Sequence, residues 1–422
     1  MTPFLFSKLF IAALLLTTAT KLWLATRQLS YIKSHRAEVP SPFNEKIDLA
    51  AHQKAADYTS SKTHLAMLEA LFEAVVLWGF TLGGGIQKIA SFWPQFFISP
   101  IAQGMGIIVT VLIISALLEA PFSLYRTFGI EARYGFNKTT LALYLLDALK
   151  GLLLAAVLGL PLLFGVLWMM ERMGENWWLY VWAVWVIFNL LLLFIYPSFI
   201  APLFNKFQPM QDETLKTRIE NLLKKCGFTA SGLFVMDGSK RSSHGNAYFT
   251  GFGKTKRIVF FDTLLSRLSP GEIEAVLAHE LGHFKHRHVI KRIAASFALS
   301  LAFLWLLAQL MQAGWFYRGL GVSISHWAGT SNATTALALL LFFMVLPIFS
   351  FLLHPLTSAY SRKHEFEADA YAAQNTDARD LATALVKMYQ DNAATLTPDP
   401  LYSVFYDSHP PAPVRIAKLQ TT

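Results

Sequence analysis

The chain has little charge and almost no cysteine. Only 15% of its 422 residues are charged, while 54% are hydrophobic, so its charged fraction is well below the soluble average. These proportions exclude an ordinary soluble domain and place the fold among membrane proteins. The single cysteine, Cys226, excludes an intramolecular disulfide and a zinc site built from cysteines alone.

Long apolar runs account for the shortage of charge. A helix needs roughly 17–25 apolar residues to cross a hydrocarbon layer about 30 Å thick. The first run is not followed by a small-residue cleavage pattern, so we expect a retained span and not a signal peptide. The sequence predicts a mainly α, polytopic membrane protein. Its seven predicted spans lie at approximately 4–25, 65–83, 101–120, 148–170, 177–200, 293–311 and 334–354.

The basic residues are distributed in a way that predicts topology. A net charge of +9 would suit a nucleic-acid partner, but the basic residues concentrate in every second connection and in the C-terminal tail, which is the positive-inside pattern. We therefore expect no nucleic-acid partner, an outside N-terminus and a cytoplasmic C-terminus. The poorly charged connections carry one basic residue each, namely Lys8, Lys88, Arg172 and Arg318.

Residues 201–292 form a water-compatible block between the fifth and sixth spans. A turn-rich stretch at 238–256 leads into a strand-like run, RIVFFDTLL, at 257–265. A helix follows, since Ser269 is suited to the N-cap, a proline takes the first helical position and Glu272 completes a capping box. The helix then carries apolar residues at helical spacing: Ile273, Val276, Leu277, Leu281 and Phe284.

This helix contains AVLAHELGHFKHRH at 275–288, in which His279, Glu280 and His283 form an HExxH motif. Positions four apart lie on one face of a helix, so two imidazoles can bind one ion. Glu280 lies where a carboxylate can reach a water at that ion without being a ligand. Histidine and carboxylate ligands suit zinc. The competing interpretation is an ordinary helix face that carries the motif by chance.

A catalytic zinc needs a third protein ligand and one open position. The HExxHxxGxxH pattern fails, because it requires Gly at 286 and His at 289, where the chain has His286 and Val289. A continuous helix would place His288 on the face opposite His283. We therefore expect neither His286 nor His288 to be a ligand.

The better third ligand lies in HEFEADA at 364–370. Glu365 and Asp369 are four apart and share a face, whereas Glu367 points away from it. Glu365 can complete the metal shell, and Asp369 can accept a ring N–H from a ligating histidine and fix its tautomer. The alternative is a solvated, charged helix.

Four ionisable residues lie within or at the ends of apolar runs. A charge facing lipid costs on the order of 3 kcal/mol on insertion scales. Two arrangements avoid that cost, namely ion pairs between helices and a water-filled interior, and the sequence favours neither. The residues are Lys21, Glu73, Glu119 and Asp147.

HELGH followed about eighty residues later by EFEAD resembles the gluzincin-type membrane metallopeptidases, in particular the type I CAAX prenyl proteases. Most of the chain is similar to that family, in the family's order. The similar segments are RTFGIEARYGFNKTT at 126–140, SKRSSHGNAYFTGF at 239–252, RIVFFDTLL at 257–265 and the terminal HPPAPVRI.

The resemblance implies one zinc ion per chain, bound by His279, His283 and Glu365, with Glu280 as general base and later proton donor. It also implies seven transmembrane helices that enclose an aqueous chamber, together with a small α+β protease domain. In the family, an edge strand corresponding to Asn246, Ala247 and Tyr248 holds the substrate peptide extended by β-augmentation.

Two residues near the C-terminus match further family positions. His409 would stabilise the tetrahedral intermediate, and Arg415 would bind substrate. The competing interpretation of His409 is a surface histidine braced by the prolines that follow it.

The resulting organisation has four segments. We expect an N-terminal membrane region with five transmembrane helices at 1–200 and a cytoplasmic protease segment with the edge strand and the HExxH helix at 201–292. Transmembrane helices six and seven lie at 293–354. The segment 355–422 carries the third zinc ligand and the substrate-binding histidine and arginine.

The predicted function is zinc-dependent hydrolysis of peptide or protein substrates within a lipid membrane, with prenylation of the substrate left open. Rival hypotheses are a heat-shock-type quality-control peptidase, which usually has fewer spans, and an intramembrane-cleaving site-2 type, which would bury HExxH in a span. The rival from outside the peptidases is a zinc-binding transporter. Glu280 favours the enzyme, because a site that only binds zinc does not need that carboxylate. The zinc site is expected on the cytoplasmic side, and short loops favour a bacterial cytoplasmic membrane over endoplasmic reticulum.

Overall fold

The structure is a computed structural model that describes residues 1–41, 43–250, 257–323 and 331–420, without the side chains of 331–333. The end of the predicted turn-rich stretch, residues 251–256, therefore lies outside the described residues.

Eighteen α-helices and one four-stranded sheet make up the part of the chain that the structure describes. Helices α1 to α8 are Pro3–Ser34, Leu49–Phe80, Gly85–Phe92, Pro100–Leu124, Leu141–Leu154, Leu160–Arg172, Trp177–Ile195 and Ala201–Phe204. Helices α9 to α13 are Glu213–Lys225, Asp262–Leu265, Pro270–Lys285, His288–Met311 and Gly314–Gly319. Helices α14 to α18 are Ser331–Ser350, His354–Asn375, Ala378–Asp391, Pro400–Tyr406 and Ala412–Gln420.

Seven helical runs are long and apolar enough to cross a membrane, which confirms the predicted number of spans. Three of them contain a short π-helical segment, at Tyr125–Glu131, Ala155–Gly159 and Tyr196–Ile200. The first four are 32 residues long, or about 48 Å at 1.5 Å per residue, so they extend well beyond a 30 Å hydrocarbon layer. The runs are Pro3–Ser34, Leu49–Phe80, Pro100–Glu131, Leu141–Arg172, Gly174–Phe204, His288–Met311 and Thr334–Asn375.

The seventh run continues as helix beyond residue 354, where the sequence predicts the end of the span. Helix α14 passes through one 3₁₀ turn, Phe351–Leu353, directly into α15. The helix that carries Glu365 and Asp369 is thus the continuation of the seventh span and not a separate element. Pro355 does not interrupt it, because it falls within the first turn of α15, where a missing backbone N–H leaves no hydrogen bond unmade.

The sheet has the order β1-β2-β4-β3. Strands β2 and β4 are parallel, and β1 and β3 pair antiparallel at the two edges. The predicted strand at 257–265 stops at Phe261, and the chain then enters α10. At this point the Asp262 carboxylate accepts hydrogen bonds from the backbone N–H groups of Ser239 and Thr263. The strands are Phe207–Pro209, Gly232–Met236, Ala247–Thr250 and Arg257–Phe261.

The sheet packs on α11, which begins as predicted. Ser269 caps the helix and Glu272 closes the capping box. The inner faces of β4 and α11 share one apolar core, which includes Ile258, Phe260, Leu277 and Leu281. This core fixes α11 against the sheet, and a second apolar core joins the membrane helices.

The charged residues of the spans form ion pairs. Lys21 lies 3.2 Å from Glu73, and Arg126 pairs with Glu69 and approaches Glu119 at 3.9 Å. Asp147 accepts two hydrogen bonds from Arg241, at 2.8 and 3.0 Å, which tie the fourth span to the segment before β3. Ion pairing, one of the two arrangements that the sequence left open, therefore occurs at these positions.

Candidate metal centre

Helices α11 and α15 cross at Gly282, the glycine within HELGH. A Cβ atom at this position would lie 2.8 Å from Cα of Ala368 and 3.1 Å from its carbonyl oxygen. Only glycine therefore allows the two backbones to come this close. The close approach brings the HExxH face of α11 against the face of α15 that carries Glu365 and Asp369. Gly282 was not among the predicted site residues, although a glycine within an otherwise helical pattern signals close packing.

The crossing gathers three metal-binding side chains. Nε2 of His279 lies 3.2 Å from Nε2 of His283. The Glu365 carboxylate lies 3.5 Å from the first of these nitrogens and 3.4 Å from the second. All three side chains are largely buried. The structure thus brings together the three residues that the sequence predicted as ligands.

The chemistry of this group fits a cation. Oε2 of Glu365 is buried and accepts no hydrogen bond from the described residues, although His279, His409 and Arg415 lie 3.4–4.0 Å from it, and a buried charge is costly unless it is both paired and hydrogen-bonded. A single ion among two imidazole nitrogens and a carboxylate would satisfy every one of these atoms. Burial opposes a charge on His279, but the neighbouring carboxylates of Asp369 and Glu365 outweigh it and raise the pKa of the imidazole to about 9. A metal ion at Nε2 would compete with a proton for the same lone pair.

Asp369 supports His279 from behind. Nδ1 of His279 lies 2.8 Å from Oδ1 of Asp369. Since a carboxylate only accepts, Nδ1 carries the proton and Nε2 is left with its lone pair facing Glu365. Asp369 in turn accepts hydrogen bonds of 2.6 and 2.9 Å from the Arg415 guanidinium.

Arg415 is buried, with 6% of its side chain exposed. Besides Asp369 it approaches Glu365 at 4.0 Å. Its predicted contact with substrate stays a prediction. The structure shows that the guanidinium braces the carboxylate that orients His279.

Glu280 follows His279 on α11, and His409 approaches the three predicted ligands from an exposed position. Burial and the neighbouring Glu365 raise the pKa of Glu280, against the opposing charges of His279 and Arg415. Nε2 of His409 lies 3.4 Å from Oε2 of Glu365, and 59% of its side chain is exposed. His409 also lines a cavity of about 510 Å³ that reaches Lys62 and Arg126.

That cavity adjoins two others along the membrane region. They have volumes of about 190 and 600 Å³ and share Lys21, Glu73 and Tyr406 as wall residues. Lys21, Glu73 and Glu119 therefore form ion pairs and also line a cavity, whereas Asp147 is paired with Arg241 alone among the described residues.

The predicted substrate segment lies at the edge of the sheet. Strand β3 pairs with β4 on one side and has no strand on its other side among the described residues. Asn246, which precedes β3, is exposed, and its side-chain oxygen accepts a hydrogen bond from the backbone N–H of Ala247. Tyr248 is half-buried within β3, opposite Val259.

The predicted position of His288 is wrong. Arg287 adopts a left-handed conformation, with φ of 56°, so α11 ends at Lys285 and a new helix begins at His288. The break turns His288 back under His283 instead of away from it, and His288 is fully buried. His286 stays exposed at the end of α11. The HRH sequence gave no sign of a left-handed residue, since arginine rarely adopts that conformation.

The chain was compared with known proteins. Residues 28–206 match the family model for the CAAX prenyl protease N-terminal region with five membrane helices, and residues 209–422 match peptidase family M48. The chain belongs to family M48. Within that family its full-length match is to the CAAX prenyl proteases.

Several relatives of this M48 protein cover nearly its whole length. It is 36% identical to the CAAX prenyl protease 1 homolog of Arabidopsis thaliana, over 82% of this chain and 79% of the relative. It is 31% identical to the Homo sapiens homolog, over 98% and 96%. The crystal structure of S. mikatae Ste24p superposes with a TM-score of 0.91 at 30% identity and covers 98% of this chain and 99% of that one.

These matches establish the protein as a multi-pass integral membrane metallopeptidase that acts on peptide or protein substrates. They confirm the predicted family, fold class and enzyme class. The five-helix N-terminal match and the full-length coverage favour this assignment over the heat-shock-type peptidase and the transporter.

Proposed function

We propose that the protein is a zinc-dependent CAAX prenyl protease-like endopeptidase in which His279, His283 and Glu365 bind one zinc ion. The convergence of their donor atoms around the orphaned carboxylate oxygen of Glu365 carries this proposal. Two histidines and one glutamate with an open side are the ligand set of a catalytic zinc site. When bound, zinc supplies Lewis acidity, which activates water near neutral pH and polarises a carbonyl.

Glu280 is the proposed general base. Its carboxylate lies beside the three ligands without being one of them, and burial raises its pKa toward the range in which a base works well near neutral pH. It accepts the proton of the attacking water and returns it to the leaving amine. His409, exposed at the same opening and next to Glu365, donates to the developing oxyanion.

The edge strand β3 is proposed to hold the substrate. Its unpaired edge offers backbone N–H and C=O groups to an extended peptide, and the exposed Asn246 adds a side-chain amide. Ala247 and Tyr248 supply the backbone of this contact. Arg415 is retained as a candidate substrate residue, with its contact to Asp369 as the better supported role.

A prenylated C-terminal peptide is the proposed substrate class, because the relatives that cover the chain are CAAX prenyl proteases. The adjoining cavities of the membrane region offer room for a lipid chain next to the metal centre. The decisive comparison is between farnesylated and unmodified versions of one reporter peptide. Equal cleavage of both would reject prenyl selectivity but leave the peptidase proposal intact.

The proposed topology places the N-terminus outside and the zinc site and C-terminus in the cytoplasm, following the positive-inside pattern. The proposal of a bacterial membrane is based on the short connections. The relatives named above are eukaryotic and do not add support to it. Alkaline phosphatase and fluorescent protein fusions at each terminus test the topology. An active phosphatase at the C-terminus would reverse it.

The central experiment is Glu280→Gln in the purified full chain. We expect it to fold and to bind one zinc ion per chain but to lose peptidase activity. Glu274→Gln on the same helix is the matched control, since Glu274 pairs at the surface with Arg218, and it should keep full activity. Chelation should abolish wild-type activity and zinc should restore it. Full activity in Glu280→Gln would refute the assigned base.

A further inference from the structure

The second ring nitrogen of His283 is also engaged. His283 Nδ1 lies 3.0 Å from Nδ1 of His288, and Nε2 of His288 lies 2.8 Å from Oε2 of Glu367. We propose that His288 and Glu367 are positioning residues that fix the tautomer and ring orientation of His283. This inference rests on the proposed metal site.

The protons of this chain of contacts can be placed from its acceptor end. The Glu367 carboxylate only accepts, so Nε2–H of His288 donates to it. A neutral His288 then presents its Nδ1 lone pair, to which Nδ1–H of His283 donates. Nε2 of His283 is left unprotonated and faces Glu365 at 3.4 Å. A metal ligand must present that lone pair.

The two histidines of the motif are thus oriented from opposite directions by one helix. His279 is oriented directly by Asp369, and His283 is oriented through His288 by Glu367. On α15, Glu365 and Asp369 share one face while Glu367 points to another, where it meets His288, so one helix contributes a ligand and both orienting carboxylates. The left-handed Arg287 makes the second arrangement possible because it turns His288 beneath His283.

A second metal site is the competing interpretation. His288, His364 and Glu367 lie close enough to share an ion, and the buried Nδ1 of His364 has no hydrogen-bond partner. However, the rings of His288 and His364 stack at 3.9 Å with planes only 10° apart. Nitrogen lone pairs lie in the ring plane, so two parallel, stacked rings do not aim at one cation. Both nitrogens of His288 are also already bonded.

The test compares Glu367→Met with Glu367→Gln in the full-length protein. Methionine removes the acceptor, whereas the glutamine carbonyl can still accept from His288. We expect zinc affinity, measured by chelator competition, to fall about 10- to 100-fold in the methionine variant and to stay near wild type in the glutamine variant. The absorption bands of the Co²⁺-substituted protein should shift only in the methionine variant.

Two controls separate the alternatives. Lys363→Met removes the cation 3.9 Å from Glu367 and should change neither readout. His364→Phe keeps a stacking ring but removes a potential ligand, and we expect one ion per chain before and after the change. Two ions in the wild type, falling to one in His364→Phe, would overturn the proposal in favour of a second metal site.

The remaining outcomes are also decisive. Unchanged zinc affinity and an unchanged cobalt spectrum in Glu367→Met would reject the positioning role. A wild-type protein that binds no metal would instead refute the proposed metal site. The test does not depend on substituting the buried His288, because Glu367 is 32% exposed and can be changed without disturbing the core.

Discussion

Gly282→Ala is the sharpest probe of how the metal centre is assembled. The added Cβ would lie 2.8 Å from Cα of Ala368, whereas carbon atoms in contact lie about 3.5–4.0 Å apart. The obstacle is backbone, which cannot rotate away as a side chain can. Helices α11 and α15 must therefore separate by about 1 Å at their crossing.

The separation should damage function more than stability. Overpacking costs about 1–3 kcal/mol, and replacement of a helical glycine by alanine returns about 1 kcal/mol, so the net loss is about 0–2 kcal/mol. The histidines lie on α11 and Glu365 lies on α15, so the same movement pulls the ligand set apart. A displacement near 1 Å at a catalytic centre lowers activity on the order of 100-fold.

Three measurements on the detergent-purified protein test this prediction: the thermal midpoint, zinc affinity by chelator competition and cleavage of a reporter peptide. Gly151→Ala is the matched control, because a Cβ at Gly151 would meet no atom within 4 Å, and it should leave affinity and activity unchanged. Wild-type affinity and activity in Gly282→Ala would show that the close crossing does not hold the ligands together.

Two further predictions concern buried charges. Asp369→Asn removes the charge that pairs with Arg415. We expect the free energy of unfolding to fall by about 3–5 kcal/mol and zinc affinity to fall about 10- to 100-fold. A double variant with Arg415→Met should recover part of the stability but not the zinc affinity. Unfolding in denaturant and chelator competition would measure the two effects, and undiminished stability in Asp369→Asn would contradict the argument. Glu272, 5% exposed and 2.7 Å from Lys387, has a pKa below its usual value because hydrogen bonds from Lys387 and Ser269 outweigh the opposing effect of burial. Its pairing therefore contributes stability above about pH 4.5 that is lost at lower pH. The thermal midpoint of Glu272→Gln should lie below that of the wild type at pH 7, and the difference between the two midpoints should vanish as the pH falls below about 4.5. A difference that does not change with pH would exclude the ion pair as its cause.

Local sequence signals predicted much of the fold. Apolar length gave seven spans, the Ser269 capping box marked the start of α11, and the HExxH spacing placed His279 and His283 on one face. Each of these features depends on residues close in sequence, for which helix periodicity is a sufficient guide. The long-range pairing of Glu365 with the motif needed the family resemblance, because spacing alone left a solvated charged helix as an alternative.

Other features depended on backbone conformation that composition does not specify. The left-handed Arg287 ended α11 and reversed the predicted position of His288. The 3₁₀ turn at Phe351–Leu353 joined the seventh span to α15, where the sequence suggested a boundary. Arg415 was predicted to bind substrate, and its burial against Asp369 was not anticipated, although a guanidinium with a bidentate carboxylate partner can be buried.

These connections explain how a hydrolytic centre is held at the end of a membrane bundle. The sixth span begins at His288, three residues after α11 ends, and the seventh continues into the helix of Glu365. Both ligand-bearing helices are therefore extensions of neighbouring membrane elements. The packing of α12 against α14 inside the bundle then limits how far the ligands can move apart.

Adjoining cavities extend from the charged residues of the spans to the candidate metal centre. Charges at Lys21, Glu73 and Glu119 would each cost on the order of 3 kcal/mol against hydrocarbon, yet all three line a cavity of about 600 Å³. That cavity adjoins, through a smaller one, the cavity that opens at His409 beside the metal centre. Ion pairing lowers the cost of each charge, and charged side chains give water in such a cavity the polar partners that it needs. We therefore expect these charges to keep the cavities beside the candidate metal centre hydrated, as a hydrolytic reaction requires.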